Sequence, residues 1–174
     1  MNRSTEHRSP HWRLGKPSDL PAINRIADAI HDVLPERPAV LAEKTELFPE
    51  GCMLFDDDGI AVGYGISHPW ILDSVSSLDS FLQELPCCPN CIYVHDVVVL
   101  PSARGHNATG TYLKLITEIA RKNRIDYLAL VSVYNSDPLW ASQGFRTVFL
   151  DEKLNSKLRG YGNTAKYMIL ELKQ

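Results

Sequence analysis

A chain of 174 residues, 44% hydrophobic and 22% charged, has the make-up of a folded protein with room for one domain and a sizeable core. Its net charge of −3 and pI near 6.0 argue against a nucleic-acid partner, which leaves a basic footprint. No apolar run approaches membrane-spanning length, and the polar stretch from Met1 to Pro10 lacks the apolar core of a secretion signal. These features predict a cytoplasmic protein without membrane or nucleic-acid partners. Its expected organisation is a flexible N-terminus over residues 1–10 and a single domain over residues 11–174.

Trp12-Arg13-Leu14 reads as a short first strand. Pro17-Ser18-Asp19-Leu20-Pro21 then opens a helix, with Ser18 or Asp19 as its cap and Ile23, Ile26, Ala27 and Ile30 as its apolar stripe. Pro35 and Pro38 break it, and a second helix is expected from Ala39 to Leu47. Cys52 to Phe55 is a strand, Asp56-Asp57-Asp58-Gly59 a hairpin turn, and Ile60 to Ser67 the returning strand. Pro69 to Pro89 is a long connection with a short helix expected over Leu78 to Leu85, placed to cover a substrate pocket.

Within that connection, Cys87-Cys88-Pro89-Asn90-Cys91 holds one CxxC spacing. A structural zinc site needs a second ligand pair, and no matching CxxC or HxxxH follows. The four cysteines are therefore read as reduced thiols, with no metal. Cys91 to Leu100 is a strongly apolar strand, and Asn107 to Lys122 a helix with Thr109, Leu113, Ile116 and Ala120 as its buried line. Tyr127 to Val133, Arg146 to Leu150 and Ala165 to Leu172 complete the strands, with one or two helical turns at Asp137 to Ser142. The order describes one mixed α/β sheet.

The strand, polar turn and helix over residues 97–122 carry the strongest functional signal. A helix start behind such a turn presents free backbone N–H groups and a positive dipole end, a site for phosphate or pyrophosphate. Gly105 and Gly110 match the glycine spacing of a P-loop, but Thr111 and Tyr112 stand where Lys and Ser or Thr are needed. A GxGxxG dinucleotide fingerprint is also missing.

Pro101-x-x-Arg104-Gly105-x-x-x-x-Gly110 after Val97, Val98 and Val99, with Asn135 and Trp140-Ala-Ser-Gln-Gly144-Phe145 behind a later strand, resembles the GNAT superfamily of acyl-CoA N-acyltransferases. The resemblance covers about residues 12–172. It implies a single N-acetyltransferase domain, a central twisted, mostly antiparallel sheet with a splayed parallel strand pair and flanking helices. It also implies acetyl-CoA as acyl donor. The pyrophosphate would lie on Arg104, Gly105, His106, Asn107, Ala108, Thr109 and Gly110. The pantetheine arm would lie along Val97, Val98 and Val99 and be held by Asn135, with an oxyanion near the Val98 N–H. Asn107 and Thr109 depart from the family turn, and Asn is the non-glycine residue best suited to positive φ. Trp140 stands where many members carry the tyrosine that protonates the leaving thiolate, which an indole cannot do.

Asp96 is the first candidate for the proton acceptor or amine anchor. Alternation along Ile92 to Val98 places it with Val94 and Val98, where an unpaired carboxylate gains basicity; the structural alternative is a bond to backbone. His95 is expected on the opposite face with Tyr93 and Val97, and titrates near working pH. Tyr134, Tyr161 or an ordered water is the candidate general acid. His68, Trp70 and Trp140 are candidate walls of the acceptor pocket. The reaction expected is direct transfer of acetyl from acetyl-CoA to a primary amine, that of a small molecule ahead of a protein N-terminus or lysine. A CoA-binding sensor without turnover is the rival reading, and a homodimer is left open.

Overall fold

A computed structural model describes residues 9–149 and 151–172, the side chain of Lys153 excepted. Most of the segment expected to be a flexible N-terminus lies outside the described residues. Seven strands, β1 (His11–Leu14), β2 (Cys52–Asp57), β3 (Ile60–Trp70), β4 (Cys91–Val99), β5 (Tyr127–Ser132), β6 (Arg146–Thr147) and β7 (Lys166–Glu171), form one sheet in the order β1-β2-β3-β4-β5-β7-β6. Every pair is antiparallel except β4 with β5. That parallel pair is joined only at Ile92–Leu128 and Tyr93–Ala129, and beyond it the strands part.

Helices cover both faces. α1 (Leu20–Ile30) and α2 (Pro38–Leu47) bury Ile23, Ile26 and Leu41 against Leu54, Tyr64, Ile66 and Val98. α3 (Ala108–Lys122) lies on the opposite face, where Tyr112, Leu113 and Ile116 pack on Ile92, Val94, Leu128 and Leu130. Apolar spacing anticipates both contacts, with one correction. Ala108 and Tyr112, not Thr109, are buried ahead of Leu113, and the Tyr112 ring lies over Gly65 of β3.

Other expectations change for traceable reasons. Asp19 does not cap α1; its carboxylate accepts from Arg13 and from the Lys16 N–H at 2.9 Å. Asp56 and Asp57 belong to β2, leaving Asp58 and Gly59, both at positive φ, as the turn. β3 runs on through Pro69 to Trp70. No helix forms over Leu78 to Leu85. Asp79 and Gln83 take positive φ there, and the Glu43 carboxylate accepts the N–H groups of Leu82 at 2.7 Å and Gln83 at 2.8 Å, groups that a helix would have used internally. The strand expected at Arg146 to Leu150 shortens to β6, and Leu150 lies outside the described residues. α4 (Asp137–Ser142) precedes β6 as expected, and between β6 and β7 sits an unanticipated α5 (Glu152–Leu158), capped by Asp151 through the Leu154 N–H at 2.9 Å.

Candidate active site

The decisive local feature is a bulge in β4. Ile66 of β3 faces Asp96, but its neighbour Ser67 faces Val94, so His95 is left over. The bulge breaks the expected alternation. Val94 packs toward α3, whereas Asp96 bonds Tyr64 and His31 on the α1 side and Val98 packs there too. His95 also points to the α1 side, bonding Glu36 and contacting Tyr93, while Val97 packs with the α3 cluster. Instead of opposing one another, Asp96 and His95 share a face.

Where β4 and β5 separate, a cleft of about 750 Å³ opens. Val97, Val98 and Val99 line one side, with Val131, Val133 and Trp140 also lining it. Arg104, Gly105, Asn107, Ala108 and Thr109 bring the start of α3 to one end. Gly105 at φ +88 and Asn107 at φ +51 make the turn left-handed, and no side chain caps the helix. Its first N–H groups therefore keep their donor capacity, backed by the positive dipole end. An anionic phosphate chemistry fits these residues. His106 is exposed outside the lining, with Nδ1 3.2 Å from the Ala103 carbonyl, and Gly110 lies beneath the Asn107 side chain, also outside it. Asn135 is exposed at φ +57 and outside the lining; its neighbour Ser136 lines the cleft instead.

The other part of the cleft is a polar cluster. His31, just past the end of α1, places Nε2 3.0 Å from Asp96 Oδ2 and Nδ1 3.3 Å from the Tyr134 hydroxyl, with the His31 and Tyr134 rings stacked. Tyr64 donates its hydroxyl proton to the same carboxylate. Burial disfavours the His31 cation, but the bond to Asp96 and the nearby acidic charges outweigh it and raise its pKa. Burial and the Asp96 carboxylate push the Tyr64 phenol well up, and burial with Asp32 and Asp96 raises that of Tyr134.

Beside this chain, His95 Nε2 lies 2.7 Å from Glu36 Oε2, the two side chains 4% and 10% exposed. Burial opposes the Glu36 charge, yet His95 and Lys44 hold its carboxyl down at about 2. His68 lies behind His95, ring centroids 6.0 Å apart, fully buried and outside the lining. Burial, reinforced by the neighbouring His95 and Lys44, depresses its pKa to about 3. Trp70 is also outside the lining, its indole N–H donating to the Ser74 carbonyl at 3.1 Å and its edge against His68. Tyr161 lines the cleft, but its hydroxyl is committed to the Ser76 carbonyl at 2.9 Å, and burial raises it to about 12. Trp140 donates to Ser136 Oγ at 3.2 Å.

The structure thus brings Asp96, His95, Tyr134, Tyr161 and Trp140 to one cleft with the Arg104 turn. His31, Glu36, Tyr64 and Ser136 were not singled out in the sequence. Glu36 and His31 flank a proline-broken connection that offers no chemical spacing. Among the described residues, no group of three or more His, Cys, Asp or Glu side chains is placed to hold a metal. Cys52 and Cys91 are buried, and all four cysteines are free thiols.

The profile of the acetyltransferase (GNAT) family matches residues 21–145. The chain belongs to that family. No curated protein matches the sequence significantly. Solved structures extend the likeness at the level of fold. A GNAT-like decarboxylase, GphF, in complex with isobutyryl-CoA superposes with a TM-score of 0.75 at 15% identity, covering 94% of this chain and 100% of that one. Ard1 from Thermoplasma volcanium gives 0.70 at 12% identity over 96% and 100%. N-acetylglutamate synthase from Neisseria gonorrhoeae, complexed with coenzyme A and N-acetyl-glutamate, gives 0.69 at 18% identity over 97% of this chain and 36% of that one. As expected of a GNAT fold, the seven-stranded sheet is mixed, with one parallel, splayed pair. Among the described residues, no helix is long and apolar enough to cross a membrane.

Proposed function

We propose that this GNAT protein is a cytoplasmic N-acetyltransferase that moves the acetyl group of acetyl-CoA directly to a small-molecule primary amine. The observation that carries the reading is a single cleft running from the uncapped start of α3, through the β4–β5 gap, to the carboxylates and imidazoles at the bulge. Arg104 and the first α3 amides suit the pyrophosphate, and the Val97 to Val99 edge suits the pantetheine arm. Neighbouring structures crystallised with coenzyme A or isobutyryl-CoA support an acyl-CoA donor. Asp96 and His95 stand as the candidate proton acceptors. Tyr134 is the better-placed acid: its hydroxyl meets the His31 imidazole, whereas that of Tyr161 is bound to backbone.

The lining also favours one kind of amine. Ile30, Leu34, Leu41 and Leu78 make the acceptor end largely apolar. The side chains of the described lining able to carry positive charge are His31 and His95, each paired with a carboxylate, and Arg104 at the phosphate end. A substrate carboxylate would find no unpaired cation, so an amine with an apolar body fits better than an amino acid. Thiol release from acetyl-CoA with matched pairs, such as phenethylamine and phenylalanine, tests this beside calorimetric CoA binding. The amine is expected to give at least tenfold higher kcat/KM. CoA binding without acetyl transfer to any amine would point to a sensor instead, and no CoA binding would remove both readings.

A further inference from the structure

The two carboxylates at the bulge differ in what already occupies them. Asp96 Oδ2 accepts from Tyr64 and His31, and Oδ1 lies 3.2 Å from the same His31 nitrogen. Glu36 instead holds an imidazole. An ionised carboxylate only accepts, so the hydrogen of a neutral His95 ring sits on Nε2, 2.7 Å from Glu36 Oε2. Nδ1 is then a bare lone pair. That atom is buried, has no hydrogen-bond partner among the described residues, and belongs to a side chain that is 4% exposed and lines the cleft. A buried polar atom without a partner is costly unless something binds it.

Titratable groups face the His95 ring from several elements. Glu36 faces it from the connection between α1 and α2, with Lys44 of α2 behind, its ammonium donating to the Ser80 carbonyl at 3.0 Å. His68 of β3 is held neutral by burial. Tyr93 and Asp96 flank it on β4, and Tyr161 lines the same cleft from the turn after α5.

We propose that His95 Nδ1, not Asp96, takes the proton from the acceptor ammonium, with Glu36 as its positioning residue. The inference rests on the acyl-transfer reading. In the step, one N–H bond of the ammonium breaks and its proton passes to Nδ1, giving an imidazolium held by the Glu36 carboxylate. The freed nitrogen pair forms the C–N bond to the acyl carbon and the C–S bond breaks. A second nitrogen proton ends on the coenzyme sulfur, and His95 returns the first to solvent. Products are the amide, the free thiol and one proton.

The test uses the full chain with acetyl-CoA and phenethylamine, or whichever panel amine is acetylated fastest. His95→Gln is expected to lower kcat by about 100-fold, within the range of a lost general base. CoA affinity should stay the same, and the deficit should shrink at alkaline pH as solution supplies free amine. Glu36→Gln keeps an acceptor for Nε2–H but removes the charge that stabilises the imidazolium; kcat should fall about tenfold and the acid limb of the kcat/KM profile should shift, with partial recovery in Glu36→Asp. Asp96→Asn should act mainly on KM. Imidazole ¹⁵N spectra of the CoA-bound parent should show His95 as the Nε2–H tautomer, a readout independent of turnover. A His95→Gln enzyme within threefold of the parent, an unchanged pH profile, or hydrogen on Nδ1 alone would overturn the assignment. Failure of the parent to bind CoA would instead overturn the acyl-transfer reading, while the spectra would still judge the tautomer.

Discussion

His31, one residue beyond α1, and Asp96, beside the β4 bulge, meet at 3.0 Å although 65 positions separate them. The contact ties the end of a surface helix to the sheet at the mouth of the strand gap. Because both side chains are largely buried, their ion pair is screened less than a surface pair. A cycle of His31→Gln, Asp96→Asn and the double variant should give a coupling of about 0.5–3 kcal/mol in urea unfolding at pH 6. The His31 pKa is raised on folding, so its contribution is full below the unfolded value of 6.5 and fades as pH rises through the higher folded value. The coupling should therefore shrink at pH 9. A pH-independent coupling would mean that the pair acts through packing.

Acid should destabilise the protein through His68 and Glu36. His68 drops from 6.5 to about 3 on folding, so the unfolded chain binds a proton that the native state refuses. The stability it supports is present above pH 6.5 and drains away as pH falls toward 3. Glu36, lowered from 4.5 to about 2, adds to the loss below pH 4.5. Unfolding free energies from urea titrations between pH 7 and pH 4 should fall steadily, by several kcal/mol in all for shifts of this order. His68→Phe should flatten the curve between pH 6.5 and 4.5. A variant curve parallel to the parent's would place the acid sensitivity elsewhere.

The turn before α3 separates conformational demand from space. A Cβ on Gly105 would meet nothing within 4 Å, but φ +88 penalises any side chain there. Gly105→Val should weaken CoA binding at least tenfold by calorimetry, since the amides would no longer hold their directions, and Arg104→Ala should weaken it through lost charge. Asn107→Gly keeps φ +51 accessible and should leave binding within twofold. Equal losses from the glycine and valine changes would contradict a conformational role.

Much of this fold was legible because burial repeats at fixed spacing. Ile23, Ile26 and Ala27 announce α1, and the apolar run from Cys91 announces a central strand. The phosphate-type turn was equally local. The acceptor end was not, because its geometry comes from a register slip between β3 and β4 that no residue in either strand signals. Alternation therefore sent His95 the wrong way. Its partner Glu36 and the Asp96 partner His31 arrive from α1 and the loop behind it, 59 and 65 positions away. Leu78 to Leu85 has helical apolar spacing, yet Glu43 of a different helix claims its amides.

Gly65 sets how closely α3 approaches the sheet. A Cβ there would fall 2.2 Å from Tyr112 Cε2 and 2.6 Å from Cζ, inside any permitted contact. Tyr112 is fully buried and cannot swing into solvent, so the ring or the helix must move. Gly65→Ala should cost about 1–3 kcal/mol, the usual penalty for overfilling a packed core. The penalty should vanish in a Tyr112→Leu background, where the space under the helix is free; a cycle of urea midpoints reads this directly. Moving α3 outward also carries the Arg104 turn with it, so Gly65→Ala should weaken CoA binding, and Tyr112→Leu should restore that affinity along with the stability. Persistence of the penalty without the tyrosine would show that strand conformation, not the ring, makes glycine necessary at this position.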